Sequence, residues 1–241
     1  KSREAGDDEN VLHLQVRRGW MLAKLGRMEE AETVLRGALD AHAAKYGWKH
    51  YRTIGAYLDW GRLLALQGRN EEAYTELKHC LELAEGLRGK DTGLALGVVD
   101  QLVGVAMDLS LYTEAEQYSL RLLNAMKVTH GLDSIPYWAG QANLAAIYRF
   151  QGRPEVAEQY SKAAMENVMR LAPEGSVFTG GAIAGHAETL RQLGKRQEEA
   201  RTLELTRATG GHLVVATAVT HWGTFVFAAH ALVVAARLTA A

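Results

Sequence analysis

His79 stands directly before the chain's single cysteine, Cys80, and an imidazole beside a thiol is the pairing from which a nucleophile and its base are assembled. Adjacent helical residues point about 100 degrees apart, so the pair reads as a buried thiol next to a surface imidazole, not as a dyad. The local signatures of other chemistries are missing: the sequence has no Gly-x-Ser-x-Gly, no phosphate loop and no His-Glu-x-x-His. Gly180-Gly181 could face an anion, but no strand precedes it and no basic residue follows, so it reads as a loop. His221 and His230 lie in an apolar stretch, where an imidazole is a candidate ligand for haem or chlorophyll. Nine residues put them on opposite sides of a helix, so they cannot share one metal. The expectation is a protein that is no enzyme and takes no cofactor, no metal and no small-molecule substrate.

The elements that would position these residues are helical. Of 241 residues only three are proline, 48% are hydrophobic and 23% are charged, which favours a folded all-α body. A net charge of -1 provides no basic field for a phosphate backbone, so nucleic acid is not an expected partner. The chain opens on Lys1 and not on Met, which is read as a removed targeting segment or a missing N-terminus.

A repeat sets the architecture. The segments Gly26-Arg27-Met28-Glu29-Glu30-Ala31, Gly68-Arg69-Asn70-Glu71-Glu72-Ala73, Ser110-Leu111-Tyr112-Thr113-Glu114-Ala115 and Gly152-Arg153-Pro154-Glu155-Val156-Ala157 recur, and Gly194 leads to Glu198-Glu199-Ala200. Their alanines are spaced 42, 42, 42 and 43 residues apart. Glycine can close a helix in the left-handed conformation, and acidic residues then favour the positive end of the next helix, so each segment is a stop followed by a start. Seven residues after each of the first four alanines come Ala38, Cys80, Leu122 and Ala164, which are small or apolar. Seven before each turn stand Gly19, Gly61, Val103, Ala145 and Ala187, with Leu22, Leu64, Ala106, Tyr148 and Leu190 three residues later, marking one packed face.

This pattern resembles the tetratricopeptide repeat, and its 42-residue period with Gly-Arg-x-Glu-Glu-Ala turns is similar to the longer variety in kinesin light chains. The resemblance covers about residues 10 to 208 and implies a right-handed α-solenoid of five helix pairs, in units at 10–47, 52–89, 94–131, 136–173 and 178–208, behind an N-terminal tail at 1–9. It implies an inner groove, lined by the first helix of each pair, that holds peptides or partner domains. By that geometry Asp59, Arg62, Asp100, Met107, Asn143 and Arg149 are the candidate partner-binding residues. In kinesin light chain-type repeats an Asn of the first helix meets peptide backbone, and Asn143 matches it. The equivalent positions hold Arg17, Asp59, Gln101 and Gly185, a departure from that pattern.

Residues 213 to 236 run for 24 residues without Asp, Glu, Lys or Arg, long enough as a helix to cross a hydrocarbon core. Residues 212–237 are therefore expected to form an apolar helix that anchors the chain in a membrane, and Ala216, Thr220, Thr224 and Ala228 make a small-residue strip for helix packing. The alternative is a buried cap over the last repeat. Lys195, Arg196, Arg201 and Arg207 would keep the repeats on the cytosolic, matrix or stromal side of a mitochondrial or chloroplast membrane. The expected function is a non-catalytic, membrane-anchored accessory or assembly subunit whose partners are other protein subunits; the alternative is a soluble peptide-binding adaptor.

Overall fold

The structure is a computed structural model that describes residues 2–89, 92–173 and 176–208. These residues form ten α-helices and no strand. The expected helix at 212–237, with Ala216, Thr220, Thr224, Ala228, His221 and His230, lies outside the described residues. Among the helices described, none is long and apolar enough to cross a membrane.

The chain divides into two compact units, Lys1–Leu109 and Ser110–Ala241. The first holds α1 (Ser2–Lys24), α2 (Met28–Tyr46), α3 (Tyr51–Leu66), α4 (Asn70–Arg88) and α5 (Gly93–Asp108). Here α1 packs on α2, α2 on α3, α3 on α4 and α4 on α5, while α3 also lies along α5. The second holds α6 (Tyr112–His130), α7 (Ile135–Phe150), α8 (Pro154–Leu171), α9 (Val177–Gln192) and α10 (Arg196–Ala208), packed in the same succession, with α7 also along α9. Each unit is a TPR-like solenoid in which a second helix wedges between its own first helix and the next one.

The turns behave as their residue types demand. Gly26 and Gly68 take φ of +76°, and Arg27 N–H donates to Leu22 O at 2.9 Å as Arg69 N–H donates to Leu64 O at 3.0 Å. That long backward bond is the Schellman closure, which requires a left-handed residue just past the helix. Ser110 has the same conformation, φ +59°, without glycine's freedom.

The recurrent alanines Ala31, Ala73, Ala115 and Ala157 are fully buried. The fifth turn departs from the sequence reading. Lys195 N–H donates to Leu190 O and Glu199 N–H to Lys195 O, the bonds that Arg27 and Ala31 make in the first repeat. Glu199 thus occupies the alanine's place, the period stays at 42, and Ala200 is exposed. Gly180 and Gly181, read as a loop, lie inside α9, where Gly181 is buried.

Close approach of paired helices explains two glycines. A Cβ on Gly19 would sit 2.5 Å from Leu35 Cγ, and one on Gly61 2.5 Å from Leu77 Cδ2. In the fourth repeat the same two positions carry Ala145 and Ser161, both buried: a larger residue on the first helix, a smaller one on the second. A partly exposed ionic rung also recurs. Arg69 Nη1 lies 2.8 Å from Glu32 Oε1, Arg153 Nη1 3.5 Å from Glu116 Oε2, and Lys195 Nζ 2.5 Å from Glu158 Oε1, each joining a second helix to the turn of the next repeat. Such pairs contribute about 0–1 kcal/mol apiece and fix register more than they stabilise.

Candidate partner-binding face

In the first unit three of the expected residues converge. Asp59 on α3 accepts a hydrogen bond from Trp20 Nε1–H of α1 at 3.0 Å, and Arg62 Nη1, one turn along, lies 3.8 Å from Asp59 Oδ1. The Arg62 guanidinium carbon is 6.0 Å from the centre of the Trp20 ring, within reach of its negative face. Asp100 on α5 accepts from the Gln101 amide at 3.1 Å.

Both carboxyls are raised above the ordinary carboxylate range. For Asp59 burial is the main cause, opposed by the Trp20 bond and then by Arg62 and His13. For Asp100 burial again leads, opposed first by Arg62 and then by Gln101. Asp100 nevertheless remains open to water, so protein crowds around its carboxyl and leaves an approach to it. One arginine therefore serves two partly desolvated carboxylates, a cluster of net negative charge that a cationic or amide donor would complement. Met107, half-buried, lies two turns further along α5.

In the second unit the two expected residues have different surroundings. Asn143 is half-buried on α7, and its Oδ1 is shielded from water with no hydrogen-bond partner among the described residues. Arg149 is not open to a groove: its side chain is 3% exposed and its Nη1 lies 4.0 Å from Glu188 Oε1 of α9. Burial pulls its guanidinium down to about 10, with Glu188 opposing the shift and Arg191 adding to it.

The first two repeats signal that burial. Arg149 stands where they place Ala23 and Ala65, both buried, although Met107 and Arg191 at the same position of the third and fifth repeats are half-buried and exposed. Trp20, absent from the expected set, is found the same way, because it lies 42 residues before Arg62. Cys80 is fully buried and its Sγ–H donates to Ile54 O at 3.6 Å; burial pushes the thiol up to about 12. His79 is exposed, with Nδ1 3.0 Å from Tyr57 Oη, while Tyr57 also bonds Glu76. The imidazole thus engages a tyrosine and the thiol a backbone carbonyl, and no dyad forms. Among the described residues no three His, Cys, Asp or Glu side chains are grouped to hold a metal ion.

The family model for the tetratricopeptide repeat matches residues 12–43. No curated protein matches the chain. Among solved structures it is similar to the nearly identical TPR-like repeats of a putative kinesin light chain from Podospora anserina, at 17% identity over 83% of this chain and 94% of that one, with a TM-score of 0.73. It is similar to BtubC (BKLC) of P. vanneervenii at 17% identity, over 88% and 86%, with a TM-score of 0.74. PlcR of Bacillus thuringiensis, in complex with the peptide PapR7 and DNA, is matched at 16% identity over 96% and 74%, with a TM-score of 0.58. At such identities the likeness is one of fold. Together with the recurring Schellman turns and the buried alanines, it makes the described residues a TPR-like helical solenoid, of which residues 12–43 match the tetratricopeptide repeat model.

Proposed function

We propose that the chain is a non-catalytic protein-interaction scaffold that captures an extended segment of a partner protein on the first helices of its repeats. The observation that carries this reading is the Trp20–Asp59–Arg62–Asp100 cluster: two carboxyls lifted by surrounding protein, one of them still open to water. Charges half-removed from water gain more from a bound donor than fully solvated ones. The peptide held by the Bacillus thuringiensis relative is consistent with a polypeptide ligand.

The test is selection of peptides from a displayed library on the full chain, followed by affinity measurement. Asp100→Asn and Asp100→Lys are expected to weaken the selected peptides, the second at least about tenfold, or about 1.4 kcal/mol, with the helical signal unchanged. Equal affinity in both variants would remove the cluster from the function.

A second reading adds a location. The uncharged run from residue 213 to 236 favours attachment to a membrane, as an accessory subunit in an organellar membrane. Carbonate extraction of the chain with and without residues 212–241 tests it; full-length protein released into the soluble fraction would contradict it.

A further inference from the structure

Val11, Leu14 and Met21 of α1, and Leu25 in the turn just after it, are 50%, 58%, 60% and 65% exposed. They form one seam, spaced three, seven and four residues apart, with Arg18 filling its middle. Forty-two residues on, the first four seam positions with Arg18 included become Thr53, Ala56, Trp60 and Leu63 of α3, all buried. Another 42 on they become Ala95, Val98, Leu102 and Val105 of α5, buried again.

What covers the later copies is a preceding second helix. Thr53 Oγ1 donates to His42 O of α2 at 3.2 Å, and the Arg36 guanidinium of α2 lies 5.3 Å from the centre of the Trp60 ring. In the second unit, Gly140 of α7 faces Leu123 and Met126 of α6, and His186 of α9 meets Ser161 of α8 at 3.0 Å. The register of the α1 seam is thus the repeat-to-repeat interface, displayed without a helix upon it among the described residues.

The seam's own stretch carries one sign of charge, with Glu30 of α2 near Arg18 as its acidic neighbour. From Val11 to Gly26 there is no Asp or Glu, while Arg17, Arg18 and Lys24 are all exposed. The helices that cover this register inside the molecule carry acidic first turns, Glu29 and Glu30 in α2, Glu71 and Glu72 in α4. We propose that the α1 seam of Val11, Leu14, Met21 and Leu25 receives an acidic amphipathic helix of a partner polypeptide, seated as α2 seats on α3. This site is separate from the Asp59–Arg62–Asp100 cluster and does not depend on it.

The probe is a fluorescein-labelled synthetic peptide of α4, residues 70–88 with Cys80→Ser, which has an excess of acidic residues and the apolar spacing of a covering helix. Anisotropy titration with the full chain should show saturable binding that weakens with added salt. Leu14→Asp with Met21→Glu should weaken it at least about tenfold, and circular dichroism should be unchanged because both side chains are exposed. Arg62→Glu should leave it unaltered, which separates this site from the cluster. Absence of saturation near about 1 mM peptide, or equal binding by the seam variant, would overturn the proposal. Sedimentation velocity showing a dimer that the seam variant dissolves would also overturn it, by making a second copy of the chain the occupant.

Discussion

The two units fill the same repeat positions in opposite ways. In the first, the inward position of the first helix holds Ala23 and Ala65, and the charged groups Asp59, Arg62 and Asp100 gather where water reaches them. In the second, Arg149 takes the alanine's place and meets Glu188 in the interior. Likewise the glycines Gly19 and Gly61 admit the bulk of Leu35 and Leu77, whereas Ala145 is matched by the smaller Ser161. A helix-pair repeat therefore fixes which helices pack together and leaves each repeat to choose how volume and charge are distributed along them, down to Met107 half-buried and Arg191 exposed at the position of Ala65 and Arg149.

The sharpest way to break this comparison is to reverse charge at both arginines. Arg149→Glu sets a buried carboxylate against the mostly enclosed Glu188 and should destabilise the chain by about 3–5 kcal/mol, whereas Arg62→Glu at the cluster that water still reaches should cost about 1–2 kcal/mol. Urea unfolding of the two variants measures both, and equal losses would remove the distinction. Next in size is Gly61→Val, which forces methyl groups into Leu77 and should cost about 1–3 kcal/mol; Leu77→Ala in the same chain should recover part of it. Additive losses would show that the contact between the two residues is not what requires glycine.

Ser110→Gly sharpens the comparison of turns, since Ser110 alone among the five holds the left-handed conformation with a side chain. Its replacement should raise stability by about 1 kcal/mol, read as a shift of the urea midpoint at constant slope. The smallest effect concerns Cys80, at the position of Ala38 and Ala164. Its folded thiol is held near about 12, above the ordinary value of about 8.5, so the unfolded chain ionises first as pH rises. The thiol's contribution to stability is full below about pH 8 and is lost progressively above it, and a thiol reagent at pH 8 should label Cys80 only in urea.

Much of the fold was legible because turn chemistry and side-chain size repeat: the positive-φ glycines at 26, 68, 152 and 194 and the buried alanines at 31, 73, 115 and 157 lie where the period puts them. The fifth repeat shows where that reading slips. An alanine stands one residue late at 200, whereas the backbone bond from Glu199 N–H to Lys195 O is set by the turn and ignores the side chain. The candidate site was legible in part. The first-helix groove includes Asp59, Arg62 and Asp100, and a spacing of three puts Asp59 and Arg62 on one face, but an arginine suggests solvent, and the alanines at 23 and 65 are the one hint that Arg149 is enclosed. The bond from Trp20 to Asp59 spans 39 residues, and the sequence marks it only as a coincidence of register.

The central claim is that a partner segment is received beside Asp59, and the Trp20 indole N–H bonded to that carboxylate reports on it directly. In a proton–nitrogen correlation spectrum of the full chain titrated with a library-selected peptide, the Trp20 indole resonance should move saturably, at the same midpoint as the measured affinity. Saturable binding of that peptide with the Trp20 indole resonance unmoved would contradict the account.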